Sequence, residues 1–222
     1  MTGNDPLYLN DTIVNFAMSW LHHRGDTGHS IFLESSLLAR GPNLIDASNR
    51  FVLPSRTREY LKGRGMMVLQ HSDRRVFIPC CKKKHWFLFV LDYGNKSVTC
   101  YDSMSPGRSS RWQTQCCAHL LKWLAFVHQE QHSTRTGRES NDVTYQFQME
   151  QWTVNVSPAD LPKQNDIVSC GVYVIMFAYY LSVGDSLTTS NCSMRQAYRW
   201  RRRLWLEIHK QRRQQRRQNL HI

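Results

Sequence analysis

The sequence predicts a mixed α and β protein, and three observations carry that expectation. The chain has 222 residues, which suits one domain, and its 41% hydrophobic and 11% aromatic residues can fill a sizeable core. Seven Trp and nine Tyr point away from a simple helix bundle. Runs with strand character, "RRVFIP", "HWFLFVLD" and "SVTCYD", follow one another in the middle of the chain, with helical periodicity on either side.

Taken in order, Asn10 can cap a first helix, and Asp11 suits its positive end. Ile13, Phe16, Ala17, Trp20 and Leu21 recur at helical spacing, and the helix ends near His23, before "RGDTG". Residues 30–39 are apolar and fit either a strand or a helix. "PSRTREYLKGRG" reads as a short helix closed by Gly63. The second and third strands are joined by "YGNK", a turn carrying Gly94 and Asn95. "RWQTQCCAHLLKWLAFVHQ" is helical, with Trp112, Cys116, Leu120, Trp123, Leu124 and Val127 on one face. Residues 132–142 are polar and read as an exposed loop, and "WTVNV" as a short strand. From Cys170 to Leu181 the chain is apolar nearly all round, which predicts a buried helix. Met194, Ala197, Tyr198, Leu204, Trp205 and Ile208 make a last amphipathic helix. "KQRRQQRRQNLHI" has no apolar face and reads as a frayed or disordered tail, so the expected division is a folded body over 1–209 and a basic tail over 210–222.

The net charge of +12 is unevenly placed. Between Arg195 and Arg217 stand ten Lys or Arg residues and one acid, Glu207, which accounts for +9 and leaves +3 for the rest. The body is therefore no obvious nucleic-acid platform, while the Arg-rich end could make a weak nucleic-acid contact or serve as an import signal. None of the seven cysteines falls in a zinc-binding spacing, and Cys80-Cys81 and Cys116-Cys117 are adjacent pairs that rarely form structural disulfides. Free thiols in a reducing compartment are expected. "MTGNDPLYLND" lacks a charged-then-apolar signal region, and no apolar run approaches the ~18 residues that cross a membrane.

Chemistry concentrates at four positions. With a two- or four-residue loop at "YGNK", paired positions in the hairpin sum to 189, and Asp102 falls opposite Phe87 on the same face as His85. The two become diagonal neighbours at about 7–8 Å between Cα atoms, within side-chain reach. A three-residue loop would break that register. Given it, the carboxylate can hold the imidazole in one tautomer and favour its charged form. Cys170 sits where a loop enters the buried helix, a place where unpaired N–H groups stabilise a thiolate. Gly171 permits close approach, and the amide of Gln164 could join the Cys170 N–H in holding an oxyanion. Each residue alone has an ordinary structural role open to it. Together they describe a Cys–His–Asp hydrolase.

"YLNDTIVNF" (8–16), "HWFLFVLD" (85–92), "YDSM" (101–104) and "QNDIVSCGVYV" (164–174), in this order, resemble the ubiquitin-like-protein-specific cysteine proteases of the SUMO-deconjugating type. "MRQAYRWRRRLWLEI" is similar to that family's last helix. The resemblance implies a papain-like α+β fold, with a central mixed β-sheet flanked by helices, for a catalytic domain over 1–209. It implies His85 as base and acid, Asp102 as its orienter, Cys170 as nucleophile and Gln164 as oxyanion donor. Trp86 and Tyr8 match residues that wall a narrow tunnel, whose flat rings exclude any Cβ and pass only a Gly-Gly tail. Two positions depart from the family pattern: Ser169 stands where Asp is usual, and Tyr8 where Trp is common. The implied activity is a thiol isopeptidase or endopeptidase acting on a ubiquitin-like modifier, SUMO-like, or on its conjugates. No metal or cofactor is required, and a monomer without membrane contact, nuclear or cytoplasmic, is expected. Two other readings are an acetyltransferase on the same fold and a basic, nucleic-acid-associated binding protein.

Overall fold

Five strands form one sheet in chain order: β1 (Ile31–Phe32), β2 (Arg75–Lys82), β3 (His85–Asp92), β4 (Ser97–Tyr101) and β5 (Thr153–Val156). The structure, a computed structural model, describes residues 8–28, 30–35, 75–136 and 149–219, so the helix expected over 54–65 lies outside the described residues. The three inner strands pair antiparallel, while β1 joins β2 and β5 joins β4 in parallel, which makes the sheet mixed. Alternation along the strands sends side chains to both faces. In β3, Trp86, Leu88 and Val90 enter one apolar core, and Phe87, Phe89 and Leu91 enter the other.

Helices cover both faces. On the first core lie α1 (Asp11–His22), α3 (Cys170–Ser182) and α4 (Met194–Asn219). On the second lies α2 (Arg111–Thr136). Asn10 caps α1, its side chain accepting from the Ile13 N–H at 3.0 Å. In α3 every side chain from Cys170 to Ala178 is buried, as its all-round apolarity requires.

The register of β3 with β4 runs from Asp92↔Ser97 to Leu88↔Tyr101, each pair summing to 189 as expected. Strand β2 extends three residues beyond the expected "RRVFIP", through Cys80, Cys81 and Lys82. It turns into β3 through Lys83 and Lys84, both left-handed at φ 50° and 62°. Such two-residue turns favour Asn-Gly, so two lysines gave no turn signal. The combined substitution Lys83→Asn and Lys84→Gly should raise stability by roughly 1 kcal/mol by relieving that backbone cost. Denaturation midpoints of the two proteins check this.

Three expectations need correction. The buried side of α2 is Gln113, Cys117, Leu120, Leu121 and Leu124 with Trp123, while Trp112 and Cys116 are only partly buried. Leu120, Trp123 and Leu124 point inward as expected and Trp112 and Cys116 pack at the edge of the same core, while Gln113 takes an inner place because its amide reaches Asp102; the helix also runs on to Thr136, into the segment expected as a loop. In α4 the buried side is Ala197, Trp200 and Leu204, whereas Tyr198 and Trp205 point outward. Trp200 takes the contact with α1 and α3, its ring lying against Trp20 and Tyr179. Finally, the segment from 210, expected to be disordered, continues α4 as helix to Asn219. Arg, Lys and Gln are good helix formers, and a helix already nucleated by its packed first half propagates through them.

Candidate active site

His85 opens β3 and Asp102 follows the last residue of β4, so the register brings both to one end of the sheet. The His85 Nε2–H donates to Asp102 Oδ1 at 2.7 Å. The same carboxylate accepts the Met104 N–H at 2.9 Å and, on Oδ2, the Gln113 amide at 3.0 Å. Gln113 is held in turn by Ser110. The Ser110 N–H donates to Gln113 Oε1 at 2.7 Å, and the Gln113 N–H donates to Ser110 Oγ at 3.2 Å. This is a reciprocal cap at the start of α2, of the S-x-x-Q kind. The sequence reading passed over Gln113. The capping pattern was visible there, but nothing local says that the same amide also reaches Asp102.

Charge at the pair follows from these contacts. Burial disfavours the imidazolium of His85, but the hydrogen bond to Asp102 and the carboxylate charge, with Cys170 acting in the same direction, outweigh it and raise the pKa from 6.5 to about 9. Burial alone would raise Asp102; its bonds from His85, Met104 and Gln113 instead hold it below the usual carboxylate range. The ring therefore stands charged at neutral pH.

Cys170 is the first residue of α3. With Nε2 committed to Asp102, the imidazole's other nitrogen, Nδ1, is buried and has no hydrogen-bond partner. The loop leading into α3 is braced from two sides. Asp166 accepts the Val168 and Ser169 N–H groups at 3.2 and 2.8 Å and the Ser169 hydroxyl at 2.6 Å. Arg201 reaches over from α4 to the Val168 carbonyl at 3.0 Å and Ser169 Oγ at 3.3 Å. Backbone bonds of the first turn begin at Val172, whose N–H meets the Ser169 carbonyl, so the Cys170 and Gly171 N–H groups precede the intrahelical ladder.

The remaining expected residues surround this point. A Cβ on Gly171 would stand 3.1 Å from Leu9 Cβ and 3.2 Å from Trp86 Cδ1, so the glycine is there to admit the indole. Trp86 itself is only 1% exposed, and its N–H donates to the Leu9 carbonyl at 2.8 Å. It is a core residue touching the start of α3, not a ring open to solvent. Tyr8 is half-buried with its hydroxyl 3.2 Å from Cys81 Sγ. Burial, then the hydrogen bond with Cys81, push its phenol up. Gln164 is buried. Its backbone N–H and side-chain oxygen are tied to Ser103, at 2.9 and 2.6 Å, and its amide nitrogen donates to the Asp166 carbonyl at 2.7 Å. One amide hydrogen remains beyond that bond. Ser103, next to Asp102, thus links the oxyanion candidate to the strand that carries the acid.

Residues 7–216 match the family model described as the Ulp1 protease family, C-terminal catalytic domain. The chain belongs to the Ulp1 protease family. That family's members are cysteine-type peptidases. The Ulp1-family domain is similar to sentrin-specific protease 2 of Mus musculus and of Homo sapiens, in each case 24% identical over 188 residues, covering 84% of this chain and 28% of the relative. It therefore spans little more than a quarter of those relatives' length. Among solved structures, the Ulp1 protease domain in complex with Smt3, the yeast ortholog of SUMO, superposes with a TM-score of 0.54 at 20% identity, over 90% of this chain and 76% of that one. The Chaetomium thermophilum Ulp1-like SUMO protease catalytic domain gives 0.59 at 21% identity, over 86% and 70%. The likeness shows the fold, the papain-like α+β arrangement around a mixed sheet. Among the described residues no group of three His, Cys, Asp or Glu could hold a metal, and no helix is long and apolar enough to cross a membrane.

Proposed function

We propose that this Ulp1-family domain cleaves the peptide or isopeptide bond after the Gly-Gly end of a ubiquitin-like modifier, SUMO-like, with Cys170, His85 and Asp102 as its catalytic triad. The observation that carries the reading is the 2.7 Å bond from the His85 Nε2–H to Asp102, which leaves the imidazole's other nitrogen, buried and without a partner, available to the Cys170 thiol. The Cys170 thiolate attacks the scissile carbonyl carbon, and the new oxyanion is held by the Cys170 N–H and the free amide hydrogen of Gln164. His85 gives its proton to the leaving amine as the C–N bond breaks, and a thioester remains. Water then attacks the thioester, His85 takes its proton, and the C–S bond breaks to release the modifier carboxylate. Asp102, fixed by Gln113 and Met104, keeps the ring aligned through both steps.

Gln164→Ala should lower kcat by roughly 10²–10³ with KM little changed, because the donor acts on charge present only in the transition state. An unchanged kcat would make Gln164 a purely structural tie between Ser103 and Asp166.

The specificity is tested with matched modifier substrates ending in Gly-Gly, Gly-Ala and Ala-Gly. In this reading the half-buried Tyr8 and the Trp86 ring, which lies buried behind Gly171, are the walls that leave the tail no room for a Cβ. Both alanine substrates should lose at least about 100-fold in kcat/KM, as overpacking beside rigid rings costs about 1–3 kcal/mol for each methyl group and misaligns the carbonyl. Equal rates on all three would refute the assignment of a Gly-Gly tunnel. Trp86→Ala is a poor probe here, since emptying a buried indole site costs about 3–5 kcal/mol of stability.

A further inference from the structure

Helix α4 packs by Ala197, Trp200 and Leu204, and its opposite side is open. Positions 195, 199, 202, 213, 216 and 217 recur there at three- and four-residue steps and their multiples, and all six are exposed arginines. Between them stand Tyr198, Trp205 and Leu206, which are 61%, 58% and 51% exposed. The Trp205 ring rests against His209, with centroids 4.1 Å apart. The helix's one acid, Glu207, lies on the inner flank, where it acts on Arg24. Beyond residue 210 the same geometry persists, because Gln211, Gln214, Gln215 and Gln218 fall on the side away from the arginines. The result is a face about 33 Å long, at 1.5 Å per residue, with arginines toward both ends and large exposed side chains between them.

Each candidate occupant makes different demands on such a face. A helix lying on a bilayer needs a continuous apolar stripe, but here the stripe is spent on the protein core and the exposed rings are separated by arginines. A duplex would satisfy the guanidiniums yet offer no free base for Tyr198 or Trp205. An acidic polypeptide would pair with the arginines and leave the rings equally unused. A single strand uses both, phosphates on arginine and unstacked bases on the aromatic faces. We propose that the outward face of α4 binds single-stranded nucleic acid, with Arg199, Arg202, Arg213 and Arg216 on phosphates and Tyr198 and Trp205 stacking on bases. The site is independent of the peptidase assignment, since these side chains point away from the core that carries His85 and Cys170.

The full chain is titrated into a labelled mixed-sequence strand of about 20 nucleotides, RNA and DNA in parallel, from about 50 to 200 mM salt. Binding should weaken linearly on a log–log plot, and the slope should flatten when Arg199, Arg202, Arg213 and Arg216 are all changed to Gln. Tyr198→Ala with Trp205→Ala, which leaves charge unaltered, should weaken binding by at least about five-fold per ring. Both variants change exposed positions, and circular dichroism confirms that they fold. The annealed duplex, vesicles with anionic headgroups and polyglutamate serve as competitors. Failure to bind the strand, equal affinity for strand and duplex, tighter association with vesicles or polyglutamate, or a ring variant equal to wild type would each overturn the proposal.

Discussion

With Cys170 as the proposed nucleophile, Cys170→Ala should abolish turnover, a loss of about 10⁶ in kcat, because removing the nucleophile of a triad costs as much as removing the whole triad. Its companion measurement is labelling. A modifier bearing a C-terminal electrophile should react at Cys170 alone among the seven cysteines, all of which are free thiols. Burial pushes the competing thiols up: Cys80, Cys117 and Cys192 to about 12 and Cys116 to about 11, with Cys81 and Cys100 raised as well. A thiol so raised is almost wholly protonated at neutral pH and a poor nucleophile. Of the seven, only Cys170 is the first residue of a helix, and only it acts on the charge of His85. Peptide mapping decides the matter. An adduct on the partly exposed Cys81 or Cys116 with Cys170 untouched would remove the basis of the proposed mechanism.

Asp102→Asn leaves a side chain of nearly the same shape and, on the proposed triad, should lower kcat by about 10⁴, since the amide would neither fix the required tautomer nor stabilise the imidazolium. The same variant should change how stability depends on pH. His85 is raised from 6.5 to about 9, so it binds a proton more tightly folded than unfolded. Its contribution is complete below pH 6.5 and is lost as pH climbs through about 9. Asp102 is lowered from 3.8, so its contribution is present above pH 3.8 and is lost as pH falls through its folded pKa. The wild-type pair therefore stabilises most between these limits and progressively less toward pH 9. In Asp102→Asn the alkaline decline should be much reduced, and the acid limb of Asp102 should vanish. Denaturant midpoints from about pH 2 to about pH 10 measure both limbs. Parallel curves for the two proteins, or undiminished kcat, would show that the short bond from His85 to Asp102 has no energetic or catalytic weight.

Several features of this site could be read directly from the chain. The hairpin of β3 and β4 is local, and its register follows from a four-residue loop, so the meeting of His85 with Asp102 was within reach of pairing arithmetic. Cys170 at the head of an apolar helix was equally visible, because a loop-to-helix junction leaves its mark in adjacent residues. The turn at Lys83 and Lys84 was not, since neither residue favours a left-handed backbone and the cost is met by the strands it joins.

What only the tertiary structure decided lies in contacts between distant segments. Gln113 on Asp102, Ser103 on Gln164 and Arg201 on the loop before Cys170 span 11, 61 and 32 to 33 residues. A buried glutamine or serine looks in sequence like a solvated one, because its partner is set by how helices settle on the sheet. The same holds for helix faces. Tyr198 and Trp205 have the spacing of core residues, yet Trp200 won the contact with Trp20 and Tyr179 and turned them outward. The sequence by itself determined the core of the middle strands and the hairpin register that brings His85 to Asp102, because each arises from neighbours along the chain. Packing decided which polar groups orient that pair and which rings of α4 face solvent, because burial depends on surfaces brought together only when the chain has folded.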